Sequence, residues 1–115
     1  IQSKLSRENG SLLWGSQNYA SMPDAALYNG TLAHVLELDD FGGADHSGAV
    51  VIPAIMSICK GISDTKKCSG QTFIEAIVIG YEASRRTLEA AGDYRAHNSK
   101  GGWHSTGTCG AIGAA

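Results

Sequence analysis

The residues with the most chemical potential in this sequence are Glu37, Asp39, Asp40, Asp45 and His46. Three acids, Glu37, Asp39 and Asp40, fall within four positions near the C-terminal end of an expected helix. That placement is electrostatically awkward, because the helix dipole is negative there and the carboxylates repel one another. A surface with no further duty would more often carry Lys or Arg. The acids therefore either meet cations from elsewhere or orient histidines in a site. A solvated acidic turn is the plain alternative, since exposed acids are common. His46 follows a Gly-Gly loop and precedes an apolar helix, and His104 stands in Gly101-Gly102-Trp103-His104-Ser105-Thr106-Gly107 just before another. Both lie at loop-to-helix junctions, where free backbone N–H groups bind anions. Imidazole can also give or take a proton near neutral pH. The expected chemistry is proton transfer on a bound carboxylate, with His46 and His104 as catalytic and substrate-binding groups. The alternative for each is a capping or core-satisfying histidine.

Other candidates carry less. His34 lies mid-helix, three residues before Glu37, and a His–carboxylate pair within the packing is the preferred reading. His97 lies in a polar loop and is expected to face solvent. Arg85 and Arg86 have Glu82 and Glu89 at ion-pair spacing, which predicts a structural network. Asp39, Asp40, His46 and His104 could ligate a metal, yet no H-E-x-x-H or Cys/His spacing is present. Asp45-His46-Ser47 is no triad, because adjacent side chains do not line up in series. Gly107, Gly110 and Gly113 follow no strand and suit helix packing better than a dinucleotide fingerprint.

These residues need elements to position them. Leu12-Leu13-Trp14 could form a short strand ending at Gly15. Ser21-Met22-Pro23-Asp24 predicts a capped helix start, with the helix running from Pro23 to about Leu38. Its Ala26, Asn29, Gly30 and Ala33 form a small-residue face open to another helix. An apolar helix is expected over Ala49 to Lys60, with Pro53 near its first turn and Gly61 as its stop. Residues 62–68 read as a polar loop. Ser69 caps a third helix reaching Ala91, whose Phe73, Ile74, Ile77, Val78, Tyr81 and Leu88 predict a central, mostly buried element. Residues 93–102 read as a loop, and a fourth helix begins near Thr106. The fold class is all-α.

Composition sets the outer bounds. The chain has 115 residues, 43% of them hydrophobic, which is one domain at most and enough for a core. Charged residues are only 17%, and there are 15 glycines, which suggests surface destined to be covered by further chain or by a partner subunit. The net charge of −2, without any basic stripe, argues against nucleic acid as partner. The longest apolar run is too short for a membrane span, and no secretory signal opens the chain. The three cysteines are an odd number without C-x-x-C spacing, so they are expected to act as small hydrophobes in a reducing compartment. The apolar run Gly110 to Ala115 is expected to continue into a larger protein.

Taken in order, Ala25-Ala26-Leu27-Tyr28-Asn29-Gly30, His34, Glu37-Leu38-Asp39-Asp40 and His46 resemble the first signature of the MmgE/PrpD family. Gly80-Tyr81-Glu82 with Arg85 or Arg86 resembles its middle helix. Gly102-Trp103-His104, with Thr106-Gly107 and Gly110, resembles its histidine segment. That family includes 2-methylcitrate dehydratases, cis-aconitate decarboxylases and an iminodisuccinate epimerase. The resemblance implies that residues 1–115 are part of one large helical domain, and that a smaller α/β domain lies in sequence absent from this chain. It also implies a cytoplasmic or mitochondrial-matrix homodimer, with no metal or organic cofactor. The site carries over onto Glu37, Asp39, Asp40, His46 and His104, with Asp39 and Asp40 holding the histidines. Departures are Glu37 where many members have Asp, Phe41 where many have Thr, and a loop between Asp40 and His46 one residue shorter than in some. The implied function is a lyase, a dehydratase or decarboxylase, acting on a small di- or tricarboxylate. The alternatives are an epimerase or isomerase using the same proton transfer, or a catalytically inactive helical interaction module.

Overall fold

A computed structural model describes residues 10–61 and 68–115. The expected lead-in before Gly10 and most of the expected polar loop, residues 62–67, lie outside them. The chain order is β1 (Ser11–Leu12), β2 (Tyr19–Ala20), α1 (Met22–His34), α2 (Ser47–Gly61) and α3 (Gly70–Ala90). A π-helical segment (Arg95–Lys100) follows, then α4 (Ser105–Thr108) and α5 (Gly110–Ala114). The fold class is all-α, with one two-stranded antiparallel ribbon pairing Ser11 with Ala20 and Leu12 with Tyr19. No described helix is long and apolar enough to cross a membrane.

Ser21 caps α1 as the sequence predicts, but Asp24 bonds back to the Ser21 hydroxyl and not to its backbone amide, so the box is incomplete. Ser21 Oγ accepts from the Asp24 amide at 3.3 Å and donates to Asp24 Oδ2 at 2.6 Å. Asn29 is buried in the middle of this helix and holds the ribbon to it. Its Oδ1 accepts from the Trp14 amide at 2.8 Å, and its Nδ2 donates to the Leu12 carbonyl at 3.0 Å. The helix ends at His34, four residues short of the expected Leu38. Glu37 adopts a left-handed φ of 53°, which breaks the helical path and turns the acidic segment back toward the histidines.

The helices α1 and α2 meet where Gly30 faces Ala49. A Cβ on Gly30 would lie 2.6 Å from the Ala49 carbonyl oxygen. Pro53 is inside α2, not in its first turn, and it denies Ala49 the amide four residues on. That carbonyl is therefore outside the helical ladder and can turn against the glycine of the neighbouring helix. Proline and glycine, one on each helix, together make the close approach.

A second close approach joins α3 to α5 and α2. A Cβ on Gly80 would stand 2.6 Å from the Gly113 carbonyl oxygen and 2.6 Å from Val51 Cγ1. Gly113 lies in turn against Ser84, whose hydroxyl donates to the Gly80 carbonyl at 2.9 Å. Gly110 touches Val50, whereas Gly107 has open space around it, so two of the three glycines serve the packing expected of them. Because one obstacle is backbone, Gly80→Ala is expected to destabilise the protein by about 1–3 kcal/mol through overpacking. This outweighs the roughly 1 kcal/mol gained in helix propensity. The check is a lower urea midpoint at unchanged slope.

Ser69 caps α3, accepting from the Thr72 amide at 3.0 Å, and Ala91 and Gly92 close it, as expected. Its burial differs from expectation. Gly80, Ser84 and Leu88 are buried, but Ile74, Val78 and Ile79 are largely exposed. Periodicity marks an apolar sector without saying which residues cover it, and within the described residues that sector is only partly covered. The predicted ion pairs do form on the exposed side. Arg85 reaches Glu82 and Glu89, and Arg86 reaches Glu82.

Two other expectations are corrected. Residues 95–100 are π-helical, and His97 is half-buried with Nε2 2.8 Å from Thr108 Oγ1. Cys59 and Cys68 are joined in a disulfide, with Cα atoms 5.5 Å apart, and Cys109 alone is a buried free thiol. An odd cysteine count and the lack of C-x-x-C spacing do not show that the end of α2 and the approach to α3 bring two distant cysteines together.

Candidate functional site

The acidic turn between α1 and α2 folds so that Asp39 lies between two imidazoles. His34 Nδ1 donates to Asp39 Oδ1 at 2.9 Å, and His46 Nδ1 donates to Asp39 Oδ2 at 2.9 Å. His34 comes from the last turn of α1, and His46 immediately precedes α2. One carboxylate thus clamps the end of one helix to the start of the next. The two rings lie 4.3 Å apart between centroids, and Phe41 covers His46 from another side at 4.9 Å. With both Nδ1 atoms committed, both Nε2 atoms turn toward Glu37. The His34 distance is 3.0 Å to Oε1 and the His46 distance is 3.8 Å to Oε2.

The charges reinforce this arrangement. Hydrogen bonding to Asp39 is the largest influence on His34 and raises its pKa, against a smaller opposing effect of burial. For Asp39 the largest single influence is burial, which pushes the carboxyl up. The His34 hydrogen bond, a backbone hydrogen bond and the charges of both imidazoles together outweigh it and hold the carboxyl below its ordinary range.

Asp45 forms the second hub. It is buried, has a left-handed φ of 68°, and stands between the two histidines singled out from the sequence. Its Oδ1 is 3.5 Å from His46 Nε2, and its Oδ2 is 3.9 Å from His104 Nδ1. Ser105 Oγ donates to Oδ2 at 3.3 Å and accepts from Asn98 Nδ2 at 3.0 Å, tying the loop before α4 to the acidic turn. His46 and His104 are 58 positions apart in the chain (104 − 46) yet face one carboxylate. His46 is 6% exposed at its side chain and His104 is 67% exposed, so one is a fixed inner group and the other is open to solvent.

A profile of the MmgE/PrpD N-terminal domain matches residues 1–115. The chain belongs to the MmgE/PrpD family. Among curated proteins it is similar to the cis-aconitate decarboxylase-like protein oryM of Aspergillus oryzae, with 35% identity over 86 residues. The alignment covers 70% of this chain and 17% of the relative's length. No solved structure matches significantly.

In this MmgE/PrpD chain Asp40 does not contact either imidazole among the described hydrogen bonds. Its Oδ1 accepts from the Gly48 amide at 3.1 Å and from the Tyr81 hydroxyl at 3.0 Å, and its Oδ2 accepts from the Gly42 amide at 2.9 Å. The acid that looked misplaced at the negative end of α1 is thus at the positive end of α2, where the dipole favours it. It also takes the amide position at which an external anion was expected beside His46. The start of α4, beside His104, is a helix of four residues and offers little dipole for the same purpose.

Tyr81 enters the site without having been a candidate for it. Burial first, and then the bond to Asp40, push its phenol up to about 12. A raised folded pKa means that the stability it contributes is present below the ordinary tyrosine range, near 10, and is lost as pH rises through about 12. Ultraviolet titration should therefore show a late phenolate step that disappears in Tyr81→Phe. The parts that His34 and Asp45 play in the site are not visible in the sequence. The His34–Asp39 separation of five residues fits no helical pairing rule, and the role of Asp45 depends on a loop conformation. The groove beside the site, between α1, α2 and α5, has a volume of about 490 Å³ and is walled largely by Ala26, Leu27, Gly30 and Val50, with His34 and Glu37 at one edge.

Proposed function

We propose that this chain is the part of a lyase that carries its imidazoles. The substrate class is a small di- or tricarboxylate, and the reaction is carbanion formation beside a carboxylate without a metal or organic cofactor. The observation that supports it best is the meeting of His46 and His104 at Asp45, with Asp39 fixing the inner ring. His104 is the exposed acid–base group and exchanges a proton with the substrate carbon. In the decarboxylation form, the C–C bond to the departing CO₂ breaks, its electron pair stays on carbon, and His104 as imidazolium supplies the proton. In the dehydration form, His104 as neutral imidazole removes the proton, and hydroxide leaves from the neighbouring carbon. His46 binds a substrate carboxylate, and Glu37 stands at the edge of its approach. Asp39 positions His46 through Nδ1, and Asp40 acts at one remove by holding the loop.

The likeness to a cis-aconitate decarboxylase-like protein favours decarboxylation within this class. The test supplies cis-aconitate, 2-methylcitrate and an epimerisable dicarboxylate to the intact protein and identifies products by mass spectrometry and NMR. Carbon dioxide released from cis-aconitate supports decarboxylation, and loss of water from 2-methylcitrate to leave an unsaturated tricarboxylate supports dehydration. An inverted dicarboxylate centre alone would make it an epimerase, and no turnover of any of the three would leave a helical interaction module.

A further inference from the structure

Three potential donor atoms, His34 Nε2, a Glu37 carboxylate oxygen and His46 Nε2, all lie within 4.8 Å of one another. Four-coordinate zinc, with ligand distances of about 2.0–2.2 Å, sets its ligand atoms roughly 3.3–3.6 Å apart. The Glu37 carboxylate comes near that separation from both imidazoles, through Oε1 at 3.0 Å from His34 Nε2 and through Oε2 at 3.8 Å from His46 Nε2. The support behind the donors is also of the kind metal sites use. Ligating histidines donate their other ring N–H to a carboxylate, which fixes the ring and its tautomer. Here Asp39 accepts from both Nδ1 atoms at once, so it is the two Nε2 atoms that face Glu37.

One further observation points to a cation. Asp45 Oδ1 is buried, its side chain is 3% exposed, and among the described residues it accepts no hydrogen bond although it lies 3.5 Å from His46 Nε2. A buried carboxylate oxygen without a partner costs free energy, and positive charge beside His46 would relieve that cost. Two imidazoles with carboxylates suit zinc far better than magnesium or calcium, which prefer all-oxygen shells.

We propose that His34, Glu37 and His46 form a binding site for a divalent transition-metal ion of the zinc class, with Asp39 as its supporting carboxylate. An ion there occupies His46 Nε2. Under the lyase reading above, and only under it, zinc is therefore an inhibitor and not a cofactor. The binding itself depends on the geometry alone.

The test titrates zinc chloride into chelator-stripped intact protein by calorimetry, with cobalt(II) as a spectroscopic substitute. The expected result is one zinc ion per chain, with cobalt giving the visible absorption of a four- or five-coordinate ion with nitrogen ligands. His34→Ala and Glu37→Gln are each expected to weaken binding at least tenfold. Asp39→Asn is expected to weaken it by about 10–100-fold. Glu37 is 71% exposed at its side chain, so its variant removes a donor without touching the core. Binding of equal strength in the Glu37 and His34 variants, or no saturable stoichiometric binding, overturns the site. Turnover of cis-aconitate that falls in step with zinc occupancy supports the inhibitory consequence. Turnover that rises with zinc overturns that consequence and the cofactor-free reading with it, while the site stands.

Discussion

His104→Ala in the intact protein is expected to lower kcat on its substrate by about 10²–10⁴-fold, the usual contribution of a positioned acid–base group. Its effect on stability is expected to be small, within about 0.5 kcal/mol. The two expectations rest on the same geometry. The His104 side chain is 67% exposed, makes no side-chain cap bond to α4, and has Asp45 as its ion-pair partner only at 3.9 Å. Very little of the fold is attached to that ring. Its value must therefore come from what it meets in the solvent-facing space, and alanine removes that and nothing else. A kcat split from stability in this way is what a purely structural histidine does not give. Turnover within a few-fold of the parent, with the melting curve unchanged, would remove His104 from the chemistry and leave Asp45 and His46 without their outer partner.

Elements with local causes were legible in the sequence. The start of α1 follows from Ser21, Pro23 and Asp24, and both ends of α3 follow from Ser69 and Gly92, because capping is settled within a few residues. The stop of α1 was not legible, since apolar residues continue through Val35, Leu36 and Leu38 past the observed end. What ends the helix is the pull of Asp39 on two imidazoles, one of them seven residues further on, and the left-handed turn at Glu37 that permits it. The same kind of cause hid the use of Asp40. Its unfavourable position on α1 was visible, but its favourable one at the start of α2 depends on a loop path that brings Gly48 and Tyr81 to it. The candidate residues were thus readable by type and segment, whereas the division of labour between Asp39, Asp40 and Asp45 belongs to tertiary structure. Exposure on α3 is a separate matter. Ile74, Val78 and Ile79 carry a sound apolar pattern, and the chain spans a small part of its relative's length.

The second large effect is expected at Asp39. Asp39→Asn keeps the shape of the side chain and replaces one acceptor oxygen by a donor NH₂ group. As placed, both Nδ1–H groups donate to this carboxylate, one to each oxygen. The amide can accept from only one of them, so the other ring must turn its lone pair inward and carry its proton on Nε2. If the ring that changes is His46, its substrate-facing nitrogen has the wrong tautomer, and kcat is expected to fall by about 10²–10⁴-fold, the scale of a mis-set catalytic imidazole. If it is His34, the clamp between α1 and α2 loosens, and stability falls by about 1.5–3 kcal/mol, as for a lost hydrogen bond to a charged group. Nitrogen-15 NMR of the imidazoles, read beside kcat and the urea midpoint, distinguishes the two. The pH dependence checks the same bond. Asp39 has a depressed pKa, so its contribution to stability is present above the ordinary carboxylate range and is lost as pH falls through the folded value. His34 has a raised one, so its contribution is present below the ordinary histidine range and is lost as pH rises through its folded value. The parent protein therefore has a window of added stability between those limits, in which the carboxylate is ionised and the His34 imidazole is protonated. In Asp39→Asn no ionisable group remains at that position and the window should flatten. A variant that keeps the parent's window would show that the two histidines are held by something other than this carboxylate.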